Sequence, residues 1–558
     1  MKDLSILHDD MIAEKDRILT EYLIEEGITR PDAIRAAFME QKITHEALGL
    51  ILVQNGFLSH DELIEAMLKI TDDSLIDEEL ILPYIPHELL TRHRAMIVAE
   101  TVHNVYMATL DNESSVRYQF EKFFPTQNIK FIPVNIEKLE NYHAKLSKIH
   151  SGDQSILEQL IRKAVMFKAS DIHIKPRRKS YSVFIRILGV LHLEHEGSLD
   201  EYNKVTAMIK DKAKMDLAER RRNQDGSYTI EYNGRMIDLR VVSLPMKMGE
   251  GIVMRILDPE NTNVKITDLG ISNVSDWQKA ITRENGIILI CGTTGSGKTT
   301  TLTATLREMD RFGKAIYTAE DPVEYNQNFI GQVNINDSVG MSYSNTVRAF
   351  MRADPDIIII GEIRDIDTAR NAIKAAETGH LVIATMHTSS IIGSISRLRD
   401  LGVDKNEIRY ILRCVLTQKL MRTNCNKCGG VGCDACKKTG YGARTIISEC
   451  KYFESTDQID ALIKGEDPTW TTMIEDAFDK YDMGLTKFEE LERIFGVEAT
   501  TLKKKRDRIK KLEVTAQQDF AKLSSKEITL EQMVEKYGDD ILIIHKRHEK
   551  ERLALLDE

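Results

Sequence analysis

Several things are scarce in this chain of 558 residues, and each scarcity closes off a class of protein. No apolar run approaches the roughly 20 residues that a membrane-crossing helix needs. Positive charge is outnumbered: 76 Lys and Arg stand against 87 Asp and Glu, a net charge of -11, so a general nucleic-acid coat is not expected. The opening Met1-Lys2-Asp3-Leu4, followed by many acids, has no secretory pattern, and the protein is expected to remain in the cytoplasm. Cysteine is rare, with seven in all, and four of these crowd between Cys425 and Cys436. In a reducing compartment that crowding favours a metal over disulfides. Cys291, Cys414 and Cys450 sit in apolar surroundings and are expected to be buried thiols. The length allows three or more domains of ordinary size.

What is present centres on Gly292-Thr293-Thr294-Gly295-Ser296-Gly297-Lys298-Thr299-Thr300, which fits G-x-x-x-x-G-K-[ST] at Gly292, Gly297, Lys298 and Thr299. Gly286 to Ile290 reads as a short buried strand and Thr300 to Asp310 as a helix. A strand, a glycine turn and a helix N-terminus aim backbone N–H groups at one point, where a phosphate chain can sit. Lys298 is expected to reach the β- and γ-phosphates of ATP, and the Thr299 hydroxyl to ligate Mg²⁺.

Ahead of this loop, residues 1–75 read as helical with a weak internal repeat, Leu19 to Thr29 resembling Leu48 to Ser59. Each copy is an amphipathic helix, a Gly stop, and a Thr or Ser cap opening another helix. Residues 76–145 read as a small α/β unit without a catalytic constellation, best taken as a docking or regulatory module. A linker is expected near Leu146 to Gln154, then an α+β domain over 150–258 whose strands are separated by turns at Asp225-Gly226 and Asn233-Gly234. That domain is rich in arginine. A solvated basic face is the plain reading; the sharper one lets Arg240 and Arg255 stabilise the γ-phosphate of an ATP on a neighbouring subunit.

After a linker at 259–271, a motor domain is expected over 272–498. Three strands there end in chemistry: Ala315 to Thr318 runs into Glu320-Asp321-Pro322-Val323-Glu324, Asp356 to Ile360 into Gly361-Glu362, and Leu381 to Thr385 into His387. Open parallel sheets bind ligands at that edge. Glu362 is the candidate to polarise the attacking water, and His387 to sense the γ-phosphate. Cys425, Cys428, Cys433 and Cys436 form two C-x-x-C turns, a spacing that favours a closed, structural Zn²⁺ site over redox pairs. Residues 499–558 carry a basic helical run from Lys503 to Lys511, read as a solvated face or a contact for a partner or anionic surface. Ile541 to Ile544 is too short for an anchor.

Taken in order, Gly292 to Thr299, Glu320 to Glu324, Asp354 to Asp365 and Thr378 to Thr388 resemble the Walker A, Asp, Walker B and His boxes of the secretion-ATPase superfamily. Ala169 to Ile174, Gln224 to Gly226 and Asp238 to Pro245 resemble its middle domain, and the N-terminal unit, more weakly, the N-terminal module of type IV pilus-extension and type II secretion ATPases. The resemblance implies a RecA-like P-loop motor, a PAS-like α+β middle domain and a small helical plus α/β N-terminal module. It further implies a homo-hexamer using ATP and Mg²⁺, at the cytoplasmic face of the inner membrane through a platform protein, with no direct nucleic-acid contact. By motif position Glu362 matches the catalytic glutamate, Glu320 the Asp-box acid, Arg240 and Arg255 the middle-domain arginines, and Arg348, Arg352 and Arg444 further arginines of the ring and nucleotide site. Leu188, Gly251 and Lys419 depart from the family pattern without removing a core nucleotide contact. The spacer between the Cys pairs is much shorter than usual, and Arg17-Ile18-Leu19 and Ala47-Leu48-Gly49 replace the Arg-Leu-Gly start that cyclic-di-GMP binding uses. The zinc site and N-terminal module favour extension or secretion over retraction. A nucleotide-gated scaffold and a DNA translocase are the readings from other classes.

Overall fold

The computed structural model describes residues 14–44, 46–70, 85, 87–101, 103–124, 127–133, 136–148, 156–232, 235–464, 470–524, 528–542 and 544–545. Most of the expected linker before residue 156 and the Asn233-Gly234 turn lie outside these. The described residues fall into two compact units, 1–476 and 477–558.

The first unit opens with helices Glu14–Glu25, Pro31–Thr44, Leu48–Gln54 and His60–Ile70. Gly27 and Gly56 stand at the two repeat turns with φ of 68° and 65°, the left-handed region glycine enters without a Cβ penalty. Ser59 caps as expected, accepting from the Glu62 N–H at 3.1 Å while Glu62 accepts back. Thr29 does something else: its hydroxyl donates to the Phe57 carbonyl at 2.6 Å, tying one repeat turn to the other. Strands β1 (Ala95–Glu100), β2 (Asn104–Thr109) and β3 (Asn128–Phe131) then make a three-stranded sheet.

The middle sheet has six antiparallel strands: β4 (Asp171–Pro176), β5 (Ser180–Ile187), β6 (Val190–Ser198), β7 (Gln224–Tyr232), β8 (Arg235–Met246) and β9 (Gly249–Leu257), in the order β6-β5-β4-β9-β8-β7. Helices Ile156–Met166 and Leu199–Lys212 share its core, the PAS-like α+β arrangement. Asp225-Gly226 is not a turn. Both residues lie inside β7, paired with Val242 and Val241. The glycine is there for close approach, since a Cβ on Gly226 would fall 2.3 Å from the Ala213 carbonyl oxygen. Gly226→Ala must therefore displace backbone, and a loss of about 1–3 kcal/mol is expected in urea unfolding.

The third sheet holds β10 (Gly286–Cys291), β11 (Ile316–Glu320), β12 (Gly331–Asn334), β13 (Ile357–Ile360), β14 (Leu381–Met386), β15 (Leu412–Asn424) and β16 (Tyr441–Tyr452), ordered β12-β11-β13-β14-β10-β15-β16. All neighbours are parallel except β15 and β16. Every residue of β10, β13 and β14 is buried, as expected for strands covered on both faces. This is the RecA-like P-loop fold. Cys291, Cys414 and Cys450 are buried in it. Among the described residues no helix is long and apolar enough to cross a membrane.

The second unit is helical: Phe488–Phe495, Val497–Ser524 and Leu530–Tyr537. Its basic run is largely taken up within the unit. Arg506 pairs with Asp479 at 2.7 Å, Lys510 with Asp482 at 3.1 Å, and Arg508 with Asp540. Lys503 lies over the Phe488 ring, 3.9 Å from its centroid. Ile541 and Ile544 are core residues of this unit, packed with Phe520 and Met533.

Candidate nucleotide site at the carboxyl edge of the sheet

The loop after β10 emerges where its two neighbours, β14 and β15, come from distant parts of the sequence. At such a reversal of strand order an open sheet offers a crevice. Gly292 (φ 151°) and Gly297 (φ 91°) shape the loop, and a Cβ on Gly292 would meet the Gln418 carbonyl oxygen at 2.5 Å. Gln418 of β15 holds the loop from below: its amide donates to the Ser296 carbonyl at 2.9 Å and accepts from the Thr301 hydroxyl at 2.9 Å. Gln418 belongs to no motif, because its partners lie more than a hundred residues away.

Lys298 opens the helix Lys298–Glu308 and curls over the loop, donating to the Gly292 and Thr293 carbonyls at 2.7 and 3.2 Å. Burial pulls its ammonium pKa below the usual range, and the Glu362 carboxylate opposes that shift. Ser296 Oγ is buried without a hydrogen-bond partner among the described residues. A glycine cradle, a lysine and an unsatisfied hydroxyl at a helix N-terminus fit a phosphate chain, and Thr299 on the same first turn fits as an oxygen donor for Mg²⁺.

Glu362 and His387 come together across β13 and β14, with Glu362 Oε1 3.3 Å from His387 Nε2. The other carboxylate oxygen accepts from Arg364 Nε at 2.7 Å, and Arg364 also reaches Asp321 at 3.4 Å. Glu320 ends β11, accepting from Thr318 Oγ1 at 2.6 Å and from Gln332 Nε2 at 3.1 Å. Four successive sheet neighbours, β11, β13, β14 and β10, thus deliver Glu320, Glu362, His387 and Lys298 to one edge. Arg364 and Asp321 are parts of this array that motif reading did not single out.

The arginines are more dispersed. Arg240 donates to the Val323 carbonyl at 2.5 Å, joining the middle sheet to the acidic loop after β11. Arg255 faces Arg240 across β8 and β9 and lies 3.6 Å from Asp171, which Arg186 also pairs at 3.2 Å. Arg348 and Arg352 stay with their own helix, donating to Ser344 Oγ and the Arg348 carbonyl, each at 3.2 Å. Arg444 lines a cavity of about 550 Å³ shared with Gly297, Thr300, Tyr325, Cys425 and Cys436.

The four cysteines close the far end of the β15–β16 hairpin. Their sulfurs all lie within 4.8 Å of one another, with Cys425–Cys433 and Cys428–Cys436 at 3.9 Å and Cys433–Cys436 at 3.7 Å. A tetrahedron with Zn–S bonds of about 2.3 Å has sulfurs about 3.8 Å apart, so the donor set fits zinc and leaves no open position. Backbone N–H groups of Gly432, Cys433 and Gly440 point at Cys428 and Cys436 sulfurs at 3.2–3.3 Å. The Gly432 bond leads in pulling the Cys428 thiol down to about 7, while burial leads in pushing Cys425 up to about 11.

Comparison with known proteins agrees with this geometry. The family model described as "Type II/IV secretion system protein" matches residues 150–493, more than half of the chain. The type II secretion system ATPase E of Vibrio cholerae is 35% identical over 376 residues, covering 61% of this chain and 74% of that one. The type IV pilus assembly ATPase PilB of Myxococcus xanthus is 31% identical over 506 residues, covering 78% and 89%. Among solved structures, the Legionella pneumophila ATPase DotB superposes with a TM-score of 0.49 at 21% identity, covering 61% of this chain and 94% of that one. The chain belongs to the type II/IV secretion system ATPase family.

Proposed function

We propose that this chain is the Mg²⁺-dependent ATPase motor of type IV pilus extension, working as a homo-hexamer at the cytoplasmic face of the inner membrane through a platform protein. The observation that carries the chemistry is the convergence of Glu362, His387 and Lys298 on one sheet edge. Glu362 polarises the attacking water, and His387 beside it registers the γ-phosphate. Lys298 leaves the loop carbonyls to hold the β- and γ-phosphates, and Thr299 and Glu320 hold the metal side. Mg²⁺, when bound, neutralises charge on the phosphate oxygens.

In this reading Arg240 and Arg255 release Val323 and Asp171 to reach an ATP, Arg444 borders the nucleotide cavity, and Arg348 and Arg352 serve the ring. Residues 1–145, 150–258 and 272–498 act as regulatory module, middle domain and motor, the zinc knuckle as a structural brace, and 499–558 as an added helical extension. Extension is favoured over type II secretion because the similarity to the pilus ATPase runs over 506 residues, against 376 for the secretion ATPase. Type II secretion is the second reading, supported by the number of such relatives.

Deleting the gene is expected to remove surface pili. Surplus pili would identify a retraction motor, and intact pili with lost protein export would move the assignment to secretion. Purified chain should release phosphate from ATP only with Mg²⁺ and sediment as a hexamer; absence of turnover would leave a scaffold instead.

A further inference from the structure

Two arginines at the far end of the phosphate-loop helix take no part in the sheet-edge array. Arg307 ends the helix that Lys298 opens, and Arg311 follows just beyond it. Arg311 is only 5% exposed, yet among the described residues it has no hydrogen bond or ion pair; its guanidinium lies over the Phe57 ring, 4.9 Å from the centroid. Arg307 gives one N–H to Asn263 Oδ1, while its Nε is buried without a partner. Burial leads in pushing both guanidinium groups down to about 10; Glu260 opposes the shift at Arg307 and Asp32 at Arg311 without cancelling it.

Between them lies a cavity of about 140 Å³, roomy enough for a phosphate group and a few waters. Its other wall comes from the two repeat turns of the N-terminal helices: Thr29, Arg30, Gly56 and Phe57. The Thr29 to Phe57 hydrogen bond holds those turns together, and Phe57 and Phe312 close one side with ring centroids 5.6 Å apart, Phe329 packing on both. Three arginines line the cavity and no carboxylate does. Asp32 and Asp310 both pair with Arg30, so of the three arginines it is Arg307 and Arg311 that lack an ion pair among the described residues. Gly56 suits the fit: at φ 65° glycine carries no Cβ penalty, and a Cβ there would lie 3.2 Å from Arg307 Nε. A chain built only for stability would place apolar groups here, because a buried cation without a partner is costly.

We propose that this cavity is a second anion site, taking a phosphoryl group between the N-terminal repeat turns and the C-terminal end of the phosphate-loop helix. Arg311 and Arg307 offer the planar donors that phosphate oxygens accept. Occupancy ties the N-terminal helices to the helix that carries Lys298, so the two sites are linked by binding free energy. The site does not depend on hydrolysis and stands or falls apart from the motor assignment.

The test uses the full chain carrying Lys298→Ala, which silences the phosphate loop. Inorganic phosphate and AMP are titrated at constant ionic strength, and binding is followed by calorimetry and thermal melting. Both ligands are expected to raise the melting temperature; tighter AMP binding marks an ester as the natural ligand, tighter phosphate binding the free anion. Adding Arg311→Met should weaken binding at least tenfold and raise the melting temperature of the unliganded protein, since the buried charge is gone and the packing on Phe57 is kept. No phosphate-dependent shift, or a shift that survives Arg311→Met, overturns the proposal. So does a lower unliganded melting temperature in Arg311→Met, which would make the arginine a structural element.

Discussion

Glu362→Gln is expected to bind ATP with near-normal affinity and to hydrolyse it at least about 10²-fold more slowly. The replacement keeps size and leaves an oxygen to accept from Arg364, whose Nε lies 2.7 Å from the carboxylate. It removes the one property needed to polarise water, a full negative charge on the oxygen beside His387. The loop that cradles phosphate is untouched, because its shape depends on Gly292, Gly297 and the Gln418 clamp. Binding should rise slightly if anything, since a negative charge near the γ-phosphate has been neutralised. Equilibrium titration with a fluorescent ATP analogue and a phosphate-release assay separate the two quantities. Full turnover in this variant would remove Glu362 from the chemistry and leave Glu320, on the adjacent strand, to be tested next.

Stripping zinc is expected to have the largest effect on stability. Structural zinc sites bind with apparent free energies on the order of 10–16 kcal/mol, comparable with the whole stability of a domain, about 5–15 kcal/mol. Apart from its sulfurs, the segment from Cys425 to Gly440 is held by turn hydrogen bonds and by two lysines, Lys427 donating to the Phe124 carbonyl at 3.1 Å and Lys437 pairing with Glu194 over the Phe167 ring. Cys436→Ser should lose the metal outright and lower the melting temperature by on the order of 10 °C, with metal content read by a colorimetric chelator. Turnover should fall with it, because Cys425 and Cys436 line the same cavity as Gly297 and Thr300. A zinc-free protein that melts as before would mean the four thiols are held by the hairpin alone.

Much of the motor was readable because its signals are local. Ile357 to Ile360 can only be a strand buried on both faces, and the acid that follows it must lie at a sheet edge. The loop motif carries its own strand and helix with it. What stayed hidden depends on residues distant in sequence. Gln418 is an ordinary strand residue until the fold sets it beneath Ser296 and Thr301. Asp225-Gly226 has turn chemistry, yet the glycine is used for its missing Cβ rather than for its freedom. Arg348 and Arg352 have motif positions, yet among the described residues their hydrogen bonds go to Ser344 Oγ and the Arg348 carbonyl.

The hairpin of β15 and β16 pairs in one register from Cys414–Tyr452 out to Thr423–Ala443, shifts register to Asn424–Tyr441, and ends in the cysteine turns. Only Gly429-Gly430-Val431-Gly432 separates the two Cys pairs. When a metal fastens both ends of such a spacer, the residues within it no longer set the register of the strands below. Doubling a flexible loop costs only about 0.6 kcal/mol, small beside what the ligands contribute. Length can therefore drift at this tip across lineages without disturbing the nucleotide cavity. Lengthening the four-residue spacer here should therefore leave both metal content and melting temperature nearly unchanged, so long as the four cysteines are kept.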